Sequence, residues 1–115
     1  MKDTWKLTAT YLLIIILMLI SGIAIGQNIC VVEFNASWNE QNSVKYLDNL
    51  TDCGVKRISI DDGSWQSDYD IVVVPTIIVF NGEEVKRFQA DVSFSMKAKL
   101  EEVQAVVDEI LMSSF

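Results

Sequence analysis

The sequence predicts an α/β domain built on a four-stranded mixed β-sheet with helices on its faces. Two observations support this prediction. Apolar runs rich in Val and Ile recur along residues 28–88, and the chain closes on a segment with apolar residues every three or four positions. The segments follow the order βαβ and then ββα, so we expect the first two strands to be parallel and the last two to form an antiparallel hairpin.

The first half of the domain is typical of a βαβ unit. Asn28 to Asn35 is an apolar run suited to a buried strand, and Val55 to Ile60 is a second strand. Between them, Ser37 and Glu40 have the spacing of a capping box, which predicts the start of a helix. Gly54 is suited to a cap at its C-terminal end.

The second half contains a lone proline and the strongest hairpin signal in the chain. Pro75 interrupts an apolar run, where a proline cannot donate a hydrogen bond to the sheet. Asn81 and Gly82 form a dipeptide typical of a tight turn between strands. The predicted elements are one helical turn within Ser64–Asp70, strands at Thr76–Phe80 and Val85–Phe88, and an amphipathic helix at Ser93–Met112.

The first 26 residues resemble a signal peptide or a membrane anchor. Residues 11–25 carry no charge, Lys2 and Lys6 precede them, and small residues stand before Gln27. The apolar segment is also about long enough to cross a bilayer as an uncleaved helix. Both interpretations place residues 27–115 outside the cytosol, as a secreted or singly anchored periplasmic, extracellular or lumenal domain.

Composition argues against several classes of function. Residues 27–115 hold seven basic and fifteen acidic residues, a net charge of −8 that repels nucleic-acid phosphates. The chain has no histidine, which removes the usual general base and most zinc sites. The sequence therefore predicts no metal, no cofactor, no catalytic residue and no membrane contact beyond residues 1–26.

Two stretches together carry a resemblance to the thioredoxin family. One is VVEFNASW before a predicted helix, and the other is VVVPTIIVFNGEEVKRF, some thirty-five residues later. The similarity spans residues 29–112. Thioredoxins usually begin with one more strand and helix, so the chain is most similar to the minimal core of that fold.

The resemblance places amides at the redox positions of the family. Redox-active members carry Cys-Gly-Pro-Cys after the tryptophan, whereas Trp38 is followed by Asn39, Glu40, Gln41 and Asn42. Dithiol exchange needs a thiolate of low pKa and a second thiol that resolves the mixed disulfide. Because amides supply neither, we expect no dithiol chemistry at this junction.

Two further features are implied by the resemblance. The family commonly keeps a buried carboxylate below its active site, with a cation beside it; Glu33 and Arg57 occupy these positions, and we interpret them as an ion pair between neighbouring strands. The bond between Val74 and Pro75 is expected to be cis. With Thr76 it would line a groove that pairs with an extended peptide.

Cys30 and Cys53 are the chain's two cysteines and lie too far apart for a Cys-x-x-Cys motif. Both stand near the N-terminal ends of parallel neighbouring strands, so the two sulfurs could meet. They are interpreted as a structural disulfide or as two buried thiols. A displaced redox pair is the functional alternative.

The sequence therefore favours a protein-binding or scaffold module without dithiol activity. The alternative is a thiol-disulfide oxidoreductase that uses Cys30, Cys53 or an external thiol. A third hypothesis is a subunit whose exposed edge, Val55 to Ile60, receives a strand from another chain. Partner identity, oligomeric state and glycosylation at Asn49, in an Asn-x-Thr triplet, are left open.

Overall fold

The computed structural model describes residues 28–113 of the 115-residue chain. The predicted signal peptide or anchor, residues 1–26, lies outside the described residues. Within residues 28–113, no helix combines the length and the apolar character needed to cross a bilayer. The elements are β1 (Ile29–Asn35), η1 (Ser37–Asn42), η2 (Lys45–Asn49), β2 (Gly54–Ser59), α1 (Trp65–Asp68), β3 (Thr76–Asn81), β4 (Glu84–Gln89) and α2 (Leu100–Ser113), where η denotes a 3₁₀ helix.

The strands form one four-stranded mixed sheet in the order β2-β1-β3-β4. β1 is parallel to β2 and antiparallel to β3, and β3 and β4 form the antiparallel hairpin. The predicted fold class is therefore confirmed. Among the described residues β2 is an outer strand, as expected, and its six residues pair with β1 in continuous register.

β1 is the centre of the core, and all seven of its residues are buried. Alternate side chains of a strand point to opposite faces of the sheet. Cys30, Val32 and Phe34 accordingly pack in one apolar cluster, together with Tyr69. Ile29 and Val31 pack in a second cluster on the other face, which η2 and α2 cover. Both faces of the sheet are thus closed.

The single helix predicted after Ser37 is wrong. Two short 3₁₀ helices stand in its place, separated by Ser43 and Val44, which have extended backbone angles. The backbone amide of Val44 donates to the Glu33 carboxylate at 2.6 Å instead of to a helical carbonyl. The predicted apolar stripe survives the break, because Val44 and Leu47 are still buried.

Both predicted helix caps are also wrong. The Ser37 hydroxyl does not cap η1, because it donates to the carboxylate of Asp61, on the loop after β2. Gly54 is the first residue of β2 and not a helix cap.

The final helix begins at Leu100 rather than Ser93, since residues 91–94 form a turn and the Glu102 carboxylate accepts from the Lys99 amide at 2.6 Å.

Candidate functional site

Three segments of the chain meet at the side chain of Asn39, on η1. This side chain is 1% exposed. Its Nδ2 donates to Asn35 Oδ1 at 3.1 Å, to the Phe94 carbonyl at 3.2 Å and more weakly to the Val74 carbonyl at 3.4 Å. Asn39 therefore ties the end of β1 to the residue before Pro75 and to the turn that follows β4.

A second set of amide contacts completes this network. Asn42 Nδ2 donates to Asn39 Oδ1 at 2.8 Å, and Asn35 Nδ2 donates to the Asn39 carbonyl at 3.1 Å. Within residues 28–113 no buried side-chain nitrogen or oxygen lacks a hydrogen-bond partner. The positions at which the family resemblance would put sulfur thus hold a network of amides, which can bind other groups but cannot act as nucleophiles.

An exposed aromatic pair lies beside this network. The rings of Trp38 and Phe94 meet edge to face, with centroids 5.1 Å apart, and are 60% and 40% exposed. Trp38 was singled out from the sequence, but Phe94 was missed because it fell within the predicted final helix. A signal was present, since Asp91, Val92 and Ser93 have the sequence of an Asx turn, in which an Asp side chain accepts from the amide two residues on.

The segment before β3 lies next to the aromatic pair. The Val74–Pro75 peptide bond is cis. Pro75 accepts from the Ala90 amide at 3.1 Å through its carbonyl, and the Thr76 hydroxyl donates to the Val73 carbonyl at 2.6 Å. Val72 extends into solvent and is 82% exposed. We refer to the exposed side chains of Trp38, Val72 and Phe94, together with the segment that leads to the buried Pro75, as the junction surface.

The structure brings Glu33 and Arg57 together across β1 and β2. They are paired in the strand register, and Arg57 Nη1 lies 2.8 Å from Glu33 Oε1. The buried carboxylate also accepts from the Ser43 hydroxyl at 2.9 Å and from the Val44 amide. Both of its oxygens therefore bind neighbouring groups, which fits a structural ion pair better than a general base.

A cleft of about 330 Å³ opens beside this ion pair. It lies at the carboxyl ends of β1 and β2, where α/β sheets often hold ligands. Its charged lining includes Glu33, Arg57 and Glu40. Glu33 and Arg57 bind each other there, so among these three residues only the charge of Glu40 has no ion-pair partner in the described part of the chain.

Cys30 and Cys53 are free thiols, so of the two structural interpretations the structure has the pair of thiols and not the disulfide. Cys30 packs in the cluster of Val32 and Phe34, whereas Cys53 packs against the cluster on the opposite face of the sheet. The two sulfurs are consequently directed apart although their strands are neighbours.

Burial lowers the reactivity of both thiols. Desolvation raises the pKa of Cys30 to about 12 and the pKa of Cys53 to about 11, with the nearby Asp52 carboxylate adding to the second shift. Thiolates are the reactive form, so both cysteines react poorly at neutral pH. Neither cysteine lies at the junction surface.

The two Asn-x-Ser/Thr triplets differ in access. Asn35 is buried and its side chain binds Asn39, whereas Asn49, at the end of η2, is exposed. Of the two, Asn49 is the one that a modifying enzyme could reach in the folded domain.

Within residues 28–113, no group of three or more His, Cys, Asp or Glu side chains is arranged to hold a metal ion.

Solved structures of thioredoxins are similar to this chain. A mutant thioredoxin from Halobacterium salinarum NRC-1 has a TM-score of 0.56 at 23% identity, over 70% of this chain and 73% of that one. Thioredoxin-2 of the malaria parasite, described as a component of its protein secretion machinery, has a TM-score of 0.57 at 16% identity, over 75% and 86%. Fasciola hepatica thioredoxin has a TM-score of 0.51 at 20% identity, over 70% and 79%.

No family model matches the chain, and no curated protein matches it. Likeness at these identities establishes the fold alone. Residues 28–113 have a thioredoxin-like fold, as the resemblance in the sequence implied.

Proposed function

We propose that this chain is a thioredoxin-fold domain without dithiol redox activity that binds an extended segment of a partner protein at the junction surface. The observation that carries the proposal is the side chain of Asn39. It is a buried amide whose hydrogen bonds hold Val74 and Phe94 in place, at the position where dithiol chemistry would require a reactive sulfur.

Support for binding comes from the exposed aromatic pair. Tryptophan is enriched among the residues that contribute most to protein interfaces, because its ring buries a large area at a small entropic cost. Trp38 and Phe94 are held on a network of buried amides, so their rings are positioned before a partner arrives. The adjacent segment at Val72 is not part of a strand, and we propose that an extended partner segment pairs with its backbone.

The competing function is thiol-disulfide exchange by Cys30 or Cys53. It is disfavoured by burial and by the raised pKa of both thiols. With a pKa of about 12, roughly one thiol in 10⁵ is ionised at pH 7. A reductase assay on a disulfide-bonded protein separates the two functions. We expect no turnover; turnover that disappears in Cys30→Ser or Cys53→Ser would favour the oxidoreductase.

We further propose that the domain acts outside the cytosol, secreted or tethered by residues 1–26. The support is the order of charges, apolar residues and small residues in that segment. Protease protection of the full-length chain in membrane vesicles tests this. Digestion of residues 27–115 from the cytosolic side would contradict it.

Binding is tested with the full-length chain in non-ionic detergent and a displayed library of random 12-residue peptides. We expect selected peptides to lose at least tenfold in affinity with Trp38→Ala or Phe94→Ala. Val85→Ala is the matched control, because Val85 is also an exposed apolar side chain but lies on β4. Failure to select any peptide, or equal losses in all three variants, would contradict the proposal.

A further inference from the structure

Carboxylates border the junction surface on two sides. Asp61 is held at Ser37, the residue before Trp38, and accepts from both its backbone amide, at 3.1 Å, and its hydroxyl. Asp91 is held in the same way at the turn that carries Phe94, where its Oδ1 accepts from the Ser93 amide at 2.9 Å. Each aromatic residue of the pair thus directly follows a serine whose backbone amide binds a carboxylate.

These two carboxylates remain charged over the physiological range. Hydrogen bonds from Ser37 lower the pKa of Asp61, and hydrogen bonds from Ser93 lower the pKa of Asp91. Lys97 offsets part of the charge of Asp91, since its Nζ lies 3.6 Å from Asp91 Oδ2. Asp61 has no cation among its contacts in the described part of the chain, so the side of the surface near Trp38 is the more negative.

The chain segment around Val72 adds further negative charge near the junction surface. Residues 58–81 contain four acidic residues and no basic residue. Two pairs of basic residues flank this stretch, Lys56-Arg57 on β2 and Lys86-Arg87 on β4. Arg57 lies against Glu33 and Asp48, and Arg87 lies against Glu84, so their charges are compensated locally. The junction surface is therefore an apolar area within a negatively charged region.

We propose that the partner segment of the junction surface carries an apolar side chain flanked by lysine or arginine. This inference rests on the proposed function and specifies the chemistry of the partner. The apolar side chain covers the rings of Trp38 and Phe94, and the flanking cations meet Asp61 and the acidic stretch. Charge complementarity of this kind speeds association and rejects acidic competitors, whose carboxylates would be repelled.

The test uses one peptide selected from the random library, synthesised with both flanks as lysine, serine or glutamate. Fluorescence anisotropy with the full-length chain in non-ionic detergent measures each affinity. We expect the lysine-flanked peptide to bind about tenfold more tightly than the serine form and the glutamate form to bind most weakly. The difference should shrink as salt is raised from about 50 mM to about 500 mM.

Two variants locate the effect. Asp61→Asn keeps an oxygen that accepts from Ser37 and removes one charge, so we expect it to reduce the preference for lysine about threefold without weakening the serine-flanked peptide. Glu109→Gln removes the same charge from α2, away from Trp38, and should leave the preference unchanged. Equal affinity for the three peptides, or equal effects of the two variants, would overturn the inference.

These outcomes are distinct from those that test the proposed function. Binding that depends on Trp38 but not on the flanks contradicts only the partner chemistry. Absence of any Trp38-dependent peptide contradicts the proposed function itself.

Discussion

The backbone amide of Val44 donates to the carboxylate of Glu33 at 2.6 Å, and this contact separates η1 from η2. A buried charge needs partners, and Glu33 obtains them from Arg57, Ser43 and Val44. The local course of the chain after β1 is therefore set by a side chain within β1.

Removing this carboxylate should destabilise the domain strongly. We expect Glu33→Ala to lower the free energy of unfolding by about 3–5 kcal/mol, because removal of the buried carboxylate leaves its hydrogen-bond and ion-pair partners unpaired. Denaturant titration of the full-length chain in detergent measures the change. Arg57→Ala should also be costly, since it leaves the Glu33 carboxylate, whose side chain is 2% exposed, without its cation. The double variant should cost less than the sum of the two; strict additivity would show that the pair does not interact.

The amide network should be sensitive to Asn39. Asn39→Ala leaves the Asn42 amide and the carbonyls of Val74 and Phe94 without this partner, and we expect a loss of about 1–3 kcal/mol. Trp38→Ala is the matched control from the same helix; because Trp38 is mostly exposed, its loss should stay near or below about 1 kcal/mol. A smaller loss for Asn39→Ala than for Trp38→Ala would argue against the network.

Introducing sulfur at Asn39 and Asn42 tests whether these two positions have the geometry of a dithiol pair. The side chains of Asn39 and Asn42 contact each other, so we expect Asn39→Cys with Asn42→Cys to form a disulfide on mild oxidation. Thiol titration of the denatured, unreduced variant should then count two thiols, those of Cys30 and Cys53. Four thiols would contradict the assigned geometry. The unchanged chain should also give two.

Thiol reactivity should depend on pH over an unusually high range. Since the pKa of Cys53 is about 11 and that of Cys30 about 12, alkylation of the folded chain should rise about tenfold per pH unit through pH 9, with Cys53 ahead. The ordinary pKa of a thiol is 9.0, so the unfolded chain loses these protons first. The resulting stability is present below about pH 9 and is lost as the pH rises towards 12. A reactivity plateau below pH 9 would contradict the burial of the thiols.

The Ser37–Asp61 contact can be checked directly by carboxyl NMR titration. We expect the pKa of Asp61 to lie below 3.8 and to rise towards that value in Ser37→Ala, because the hydroxyl hydrogen bond is the largest cause of the shift. Ser64→Ala is a suitable control, since Ser64 donates to Asp68 and not to Asp61. An unchanged pKa in Ser37→Ala would rule out the hydroxyl as the cause.

The sheet could be predicted from the sequence because each strand and the hairpin turn have a signal within a few consecutive residues. β1 is an apolar run with one acid, Glu33, β3 is a nearly continuous apolar run, and Asn81-Gly82 marks the hairpin between β3 and β4. The helix after Ser37 failed for a nonlocal reason. Its capping-box spacing and apolar stripe were real, but the hydroxyl of Ser37 binds Asp61, 24 residues away, and the amide of Val44 binds Glu33.

The site was predictable to a similar extent. Trp38, Asn39 and Pro75 could be identified because the resemblance attaches to short motifs. Phe94 could not, since its place beside Trp38 depends on a turn with a positive φ of 61° that displaces the start of α2. Phenylalanine carries no preference for that backbone region, so only the preceding Asx sequence hinted at the turn.

The placement of Cys30 and Cys53 on opposite sides of the sheet has a consequence for where this domain can work. No disulfide bond stabilises the domain, so a reductant has no bond within it to break. Its folded structure should not depend on the redox potential of its surroundings, and the junction surface should be the same in an oxidising or a reducing compartment.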